Sequence, residues 1–137
     1  MSVSLLAVLV AAIASMIIGS IWYSPLLFGD VWMKLAKLKF PKEKKAQQSM
    51  MLKAYGMGLL ISLVTAYVLG HFILLTEATS AAEGAEIGFW IWLGFIATTQ
   101  LGSVIWEQRS LKLFLIGSSN MLATALVMGV ILAVWPS

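Results

Sequence analysis

Thr99, Gln100, Ser103 and Glu107 interrupt one apolar stretch of the chain, and Asn120 and Thr124 interrupt the next. Polar groups in such surroundings need partners, because leaving one unpaired away from water costs free energy. Thr99, Ser103 and Glu107 stand at i, i+4, i+8 and share a helix face, with Gln100 beside it. At ~1.5 Å rise per residue, Gln100 and Asn120 fall at matching depth, about 10–12 Å from the nearer ends of their helices. Two readings follow. The amides pair across the helices as a clamp, worth on average ~0.6 kcal/mol per hydrogen bond. Alternatively, Thr99, Gln100, Ser103, Glu107, Asn120 and Thr124 line a polar pathway or pocket from mid-helix to one end.

Glu107, Arg109 and Lys112 form a compact charged cluster beyond that face. An ion pair closing a short helix–helix connection accounts for it; a carboxylate coupled to a proton or cation is the alternative. His71 is the only histidine. Without a second ligand it makes a poor metal site, and reaching toward a membrane interface explains it. Eight methionines invite a copper(I) reading. However, Met16, Met57, Met121 and Met128 share no ligand spacing, and methionine also fills gaps between helices. The motifs H-E-x-x-H, G-x-S-x-G and the phosphate-binding loop do not occur. The expectation is therefore a protein that is not an enzyme and carries no metal or cofactor.

The elements that position these residues follow from composition. Of 137 residues, 61% are hydrophobic and 11% charged, and mean hydropathy is +0.95. Soluble domains carry about 25% charged residues, so a soluble globule and a nucleic-acid binder are both excluded. With no cysteine, thiol chemistry and disulfides are excluded as well. A helix spanning a ~30 Å hydrocarbon core needs about 20 mostly apolar residues. Four stretches qualify, at about 3–23, 53–75, 86–106 and 113–135, in one domain covering 1–137. The first has no basic residue before it and an A-x-A only inside the apolar run, so it reads as a mature helix rather than a signal peptide.

Loop charges orient the spans. The first loop holds Lys34, Lys37, Lys39, Lys42, Lys44 and Lys45; the second holds Glu77, Glu83 and Glu86; the third holds Arg109 and Lys112. Basic loops stay cytoplasmic, which puts both termini outside an inner membrane and the basic face against an anionic inner leaflet. In the loop at about 26–49, Phe28, Val31, Trp32, Leu35 and Leu38 recur at helical spacing. They predict a short amphipathic helix lying at the cytoplasmic interface. Small residues recur at i, i+4: Ala7, Ala11, Ser15, Gly19; Ala54, Gly58, Ser62, Ala66, Gly70; Gly94, Thr98, Gly102; and Gly117, Ala125, Gly129, Ala133 with Met121 between. Such rows let helix backbones approach closely. They predict a tight bundle without a lumen, and supply faces for a homo-oligomer. Gly19–Trp22 and Gly102–Trp106, each followed by serine, leucines and phenylalanine, also suggest a weak internal duplication of two hairpins.

The run Gly19–Ser20–Ile21–Trp22–Tyr23–Ser24–Pro25–Leu26–Leu27–Phe28–Gly29, followed by Trp32, resembles the signature of a family of small bacterial membrane proteins, DUF1761. Trp92–Thr99, Glu107–Ile116 and Met128–Pro136 are similar to later parts of that family, in order. The resemblance implies a four-span membrane protein and no activity. The family often has glycine between the glutamate and the arginine, where this chain has Gln108; glycine reaches positive φ more readily. Physically, Trp22 and Tyr23 sit at the headgroup level, Ser24 and Pro25 end the helix, and Phe28, Gly29 and Trp32 lead back into the interface.

The sequence thus predicts an all-α, polytopic four-helix bundle with a short interfacial helix. Its leading functional reading is a homo-oligomeric transporter or channel-like protein for a small solute or ion of unspecified identity. The alternative is a membrane scaffold or accessory subunit that binds lipid or another membrane protein.

Overall fold

The computed structural model describes residues 2–37 and 40–136, and all regular structure among them is helical. In chain order the elements are α1 (Leu5–Trp22), α2 (Gly29–Ala36), α3 (Lys44–Leu75), α4 (Ala81–Ile91), a π-helical segment (Trp92–Ala97), α5 (Thr98–Trp106) and α6 (Leu111–Val134). α4, the π segment and α5 run on as one 26-residue helix, so four helices are long and apolar enough to cross a membrane. Leu38, the last residue of the predicted amphipathic stripe, and Lys39 lie outside the described residues.

Local chemistry fixes most helix ends. The Ser4 hydroxyl accepts from the Ala7 N–H at 3.2 Å and the Ser110 hydroxyl from the Leu113 N–H at 3.3 Å. Ser80 and Glu83 form a reciprocal capping box, with Glu83 N–H on Ser80 Oγ at 3.1 Å and Ser80 N–H on Glu83 Oε1 at 3.2 Å. Each cap satisfies amide groups that the first helical turn would leave without partners. α3 begins at Lys44, well before the span predicted at 53–75. Pro41 is the last helix breaker before it, and Ala46–Leu52 contains neither glycine nor proline. The second half of the predicted loop is therefore helix.

α6 is the hub. Its contact with α4 is the most extensive in the molecule, and it also packs on α1 and α3. Ala7, Ala11, Ala66, Leu69, Ile73, Met128, Leu132 and Ala133 form the buried core, with Met128 fully enclosed. This core lies toward the end holding the Thr76–Ser80 turn. The small-residue rows of α1, α3 and α6 supply much of it, as close helix approach demands.

The third span departs from expectation. Its predicted row of Gly94, Thr98 and Gly102 does not pack: a Cβ on Gly94 or Gly102 would meet nothing within 4 Å. The row was read with α-helical spacing across a segment that winds more widely, and the wider turn breaks its register. The contact is made instead by Gly84 and Gly88, whose backbones touch α6 at Gly129 and Ala125. This is a G-x-x-x-G pair that starts before the span predicted at 86–106. Below the π segment α5 buries no residue and touches α6 only sparsely. The bundle is tight at one end and open along its middle.

The suggested duplication finds no support in packing. Trp22 is half-buried and its indole donates to the Ile116 carbonyl at 3.0 Å, whereas Trp106 is 86% exposed.

Candidate functional site

The opening beside α5 is a cleft of about 740 Å³ between α3 and the third span, floored by α6 and by Ser15 and Met16 of α1. It falls in the roughly 300–1,000 Å³ range of small-molecule sites. Its lining is chiefly aliphatic and aromatic, and the exposed side chains of Ile61, Val64 and Phe95 flank its mouth. The cleft therefore faces sideways, toward whatever surrounds the helices.

Four of the six predicted polar residues meet there: Thr99 and Gln100 from the third span, Asn120 and Thr124 from α6. The predicted amide pair does not form. Gln100 Nε2 donates to the thioether of Met121 at 3.1 Å, while Asn120 Oδ1 is buried with no partner among the described residues. The π turn rotates α5 relative to an unbroken helix, so Gln100 reaches the neighbour of Asn120. Thioether sulfur is a weak acceptor, so one amide is poorly satisfied and the other has an idle acceptor. Thr99 bonds back to the Phe95 carbonyl at 2.9 Å. Thr65 also lines the cleft, as do Ser15 and Ser62, whose hydroxyls lie 3.3 Å apart across α1 and α3. Sequence reasoning did not single out these three as site residues; the available signal for Ser62 and Thr65 was their polarity within the apolar run of α3, and for Ser15 the same within α1.

Ser103 and Glu107 lie elsewhere. Ser103 lines a second, smaller cavity of about 130 Å³ with Gln100, Arg109 and Ser110. Glu107 lies just past α5 and lines neither space; it pairs with Arg109, Nε to Oε2 at 3.0 Å, both side chains well exposed. Exposed pairs of this kind contribute ~0–1 kcal/mol. Lys112 takes no part in that bridge. His71 is exposed, edge-on to Tyr67 with ring centroids 4.7 Å apart.

The aromatic signature folds into a corner that clasps α6. The chain turns after Tyr23, where Gly29 N–H donates to the Ser24 carbonyl at 2.9 Å and Phe28 N–H to the Trp22 carbonyl at 3.0 Å. Trp22 and Phe28 rings stand 5.6 Å apart, Tyr23 and Trp32 4.7 Å apart. The Trp22 indole fastens α1 to α6 through the Ile116 carbonyl. A second indole does the same from the third span, Trp92 Nε1 donating to the Ser118 carbonyl at 2.8 Å. In this setting α2 follows at once, an eight-residue helix over Gly29–Ala36.

A family model described as "Protein of unknown function (DUF1761)" matches residues 6–133, nearly the whole chain. The chain belongs to the DUF1761 family. No curated protein and no solved structure matches it. For this DUF1761 chain, then, the geometry has to carry the functional argument.

The DUF1761 stretch Glu107–Ile116 contains one strained residue. Gln108 adopts φ 54°, the left-handed region, which costs a non-glycine residue roughly 1–2 kcal/mol. Gln108→Gly removes that cost but adds freedom to the unfolded chain, worth ~0.4–1 kcal/mol. A net stabilisation of about 0.5–1 kcal/mol is expected. Thermal unfolding in detergent reads it as a higher Tm; an unchanged or lower Tm contradicts it.

Proposed function

We propose that the protein handles a small, largely apolar solute dissolved in the bilayer, taken up sideways into the cleft between α3 and the third span. The observation that carries this reading is an apolar space of about 740 Å³ with a few polar groups converging on it. Such a lining suits a solute already in lipid better than a hydrated ion, since hard cations require several oxygen ligands. The transporter reading is kept in this form, with movement of the solute between leaflets as its function. The reading includes an inner-membrane location with both termini outside. The basic end, Lys34–Lys45 with Arg109 and Lys112, would then meet the anionic leaflet.

A second reading is favoured by one feature. The Gly94, Thr98 and Gly102 row meets open space, and Leu101, Ile105 and Trp106 beside it are exposed. That face suits close approach by a helix of a second copy or another membrane protein, as a homo-oligomer or scaffold requires.

Native mass spectrometry of the purified protein in mild detergent, with oleyl alcohol as a neutral probe, separates them. One bound alcohol per chain is expected, lost from Thr99→Trp, which fills the cleft from a helix with no buried residue. Equal retention by both proteins, or by neither, overturns the cleft reading. A fixed stoichiometry above one that Gly102→Leu abolishes supports the second.

A further inference from the structure

We infer that the ligand of this cleft is an anionic amphiphile: an acyl chain lying in the large apolar space, with its charged oxygen head in the small cavity beside Arg109. The inference rests on the cleft reading above and adds the chemistry of the head. Its basis is that the two spaces adjoin at Gln100, which lines both the 740 Å³ cleft and the 130 Å³ cavity, so movement of that one side chain would join them. One is chiefly apolar; the other gathers Arg109, Ser103 and Ser110 around Gln100. A molecule spanning both needs a long greasy part and a compact polar end.

The sign of that end follows from the donors left over. Arg109 meets Glu107 with Nε 3.0 Å from Oε2, and a guanidinium carries five N–H groups in all. Its terminal nitrogens make no hydrogen bond among the described residues, beyond the ion pair with Glu107. The Ser110 hydroxyl oxygen accepts from Leu113 N–H, which leaves its own hydrogen free to donate. The Gln100 amide spends one hydrogen on the Met121 sulfur, a bond easily exchanged for one to oxygen. Ser103 adds no donor, since its hydroxyl already donates to the Gln100 carbonyl at 2.6 Å. The one carboxylate nearby, Glu107, is held by Arg109 in an exposed pair that gives way at little cost. Free donors with a full positive charge, and no carboxylate among the residues lining the cavity, favour an anion. The start of α6, a 24-residue helix, adds a favourable field of the same sign.

A fatty acid and an anionic phospholipid share this chemistry, and the test separates them. Binding of oleyl phosphate and of oleyl alcohol to the purified protein in mild detergent is compared by native mass spectrometry. The phosphate is expected to bind roughly tenfold more tightly, the worth of one charge-assisted hydrogen bond. Arg109→Gln should bring the phosphate down to the level of the alcohol and leave the alcohol unmoved. Glu107→Gln, which frees Arg109, should raise phosphate affinity severalfold. Both positions are exposed, so neither variant threatens the fold. Displacement of oleyl phosphate by dioleoylphosphatidylglycerol identifies a bilayer lipid as the source; displacement by oleate alone identifies a free acid. Equal binding of phosphate and alcohol, with no effect of either variant, overturns the anionic head while the cleft reading stands. Failure of both probes to bind overturns the cleft reading itself.

Discussion

Gly88→Ala is expected to destabilise the bundle at or above the upper end of the roughly 1–3 kcal/mol that overpacking usually costs. The added methyl would overlap the Ala125 carbonyl of α6, which is backbone and cannot rotate away. Relief requires α4 to move off α6, and that interface is the largest in the molecule. Gly84→Ala meets the same obstacle at Gly129, and Gly129→Ala meets it from the other side. Because Gly84 and Gly129 touch each other, the double variant should cost less than the two singles added together; once the helices part, the second methyl finds room. Gly102→Ala is the control, since its methyl would meet nothing within 4 Å. Helix propensity alone should then stabilise by up to about 1 kcal/mol. Thermal unfolding in detergent measures all five, and similar losses for Gly88→Ala and Gly102→Ala would contradict the α4–α6 contact.

The second large effect belongs to the aromatic corner. A Cβ on Gly29 would lie 2.6 Å from the Tyr23 oxygen and 2.6 Å from the Ser24 carbonyl carbon. Gly29→Ala must therefore open the turn and break the two backbone hydrogen bonds that close it. Each is worth about 1 kcal/mol net, on top of the overlap. The damage is largely local, because the extensive α4–α6, α1–α3 and α1–α6 contacts are made by the long helices themselves. It should appear as at least a tenfold rise in the rate of tryptic cleavage at Lys34 and Lys37, while the Tm of the bundle moves little. An unchanged cleavage rate would show that the corner is already open in solution.

Much of the helical order was legible in the sequence because length and hydropathy determine it. Ser4, Ser80 and Ser110 sit where caps belong, and Pro25 marks the corner after α1. The π segment was not legible. Nothing in Trp92–Ala97 announces a wider turn by type, and its consequences spread: a misread small-residue row, a missed Gly84–Gly88 pair and an amide pair that does not form. The site was half legible. Polarity within an apolar run pointed to Thr99, Gln100, Asn120 and Thr124, all of which reach the cleft. Periodicity then carried the same face on to Glu107, but α5 ends at Trp106 and the carboxylate swings out to Arg109. The cleft itself could not be foreseen, because it comes from a divergence between two helices that composition does not encode.

The central place of α6 has a consequence for how the protein is made. α1, α3 and the third span all precede α6 in the chain, yet the third span is held to the rest mainly through it. If the helices enter a bilayer one after another in chain order, α1 and α3 can pair as a hairpin. The third span would then wait with its Gly84–Gly88 face uncovered until α6 arrives. A nascent chain stalled before Leu111 is accordingly expected to present its third span to quality-control proteases, and release of α6 to end that exposure in a single step.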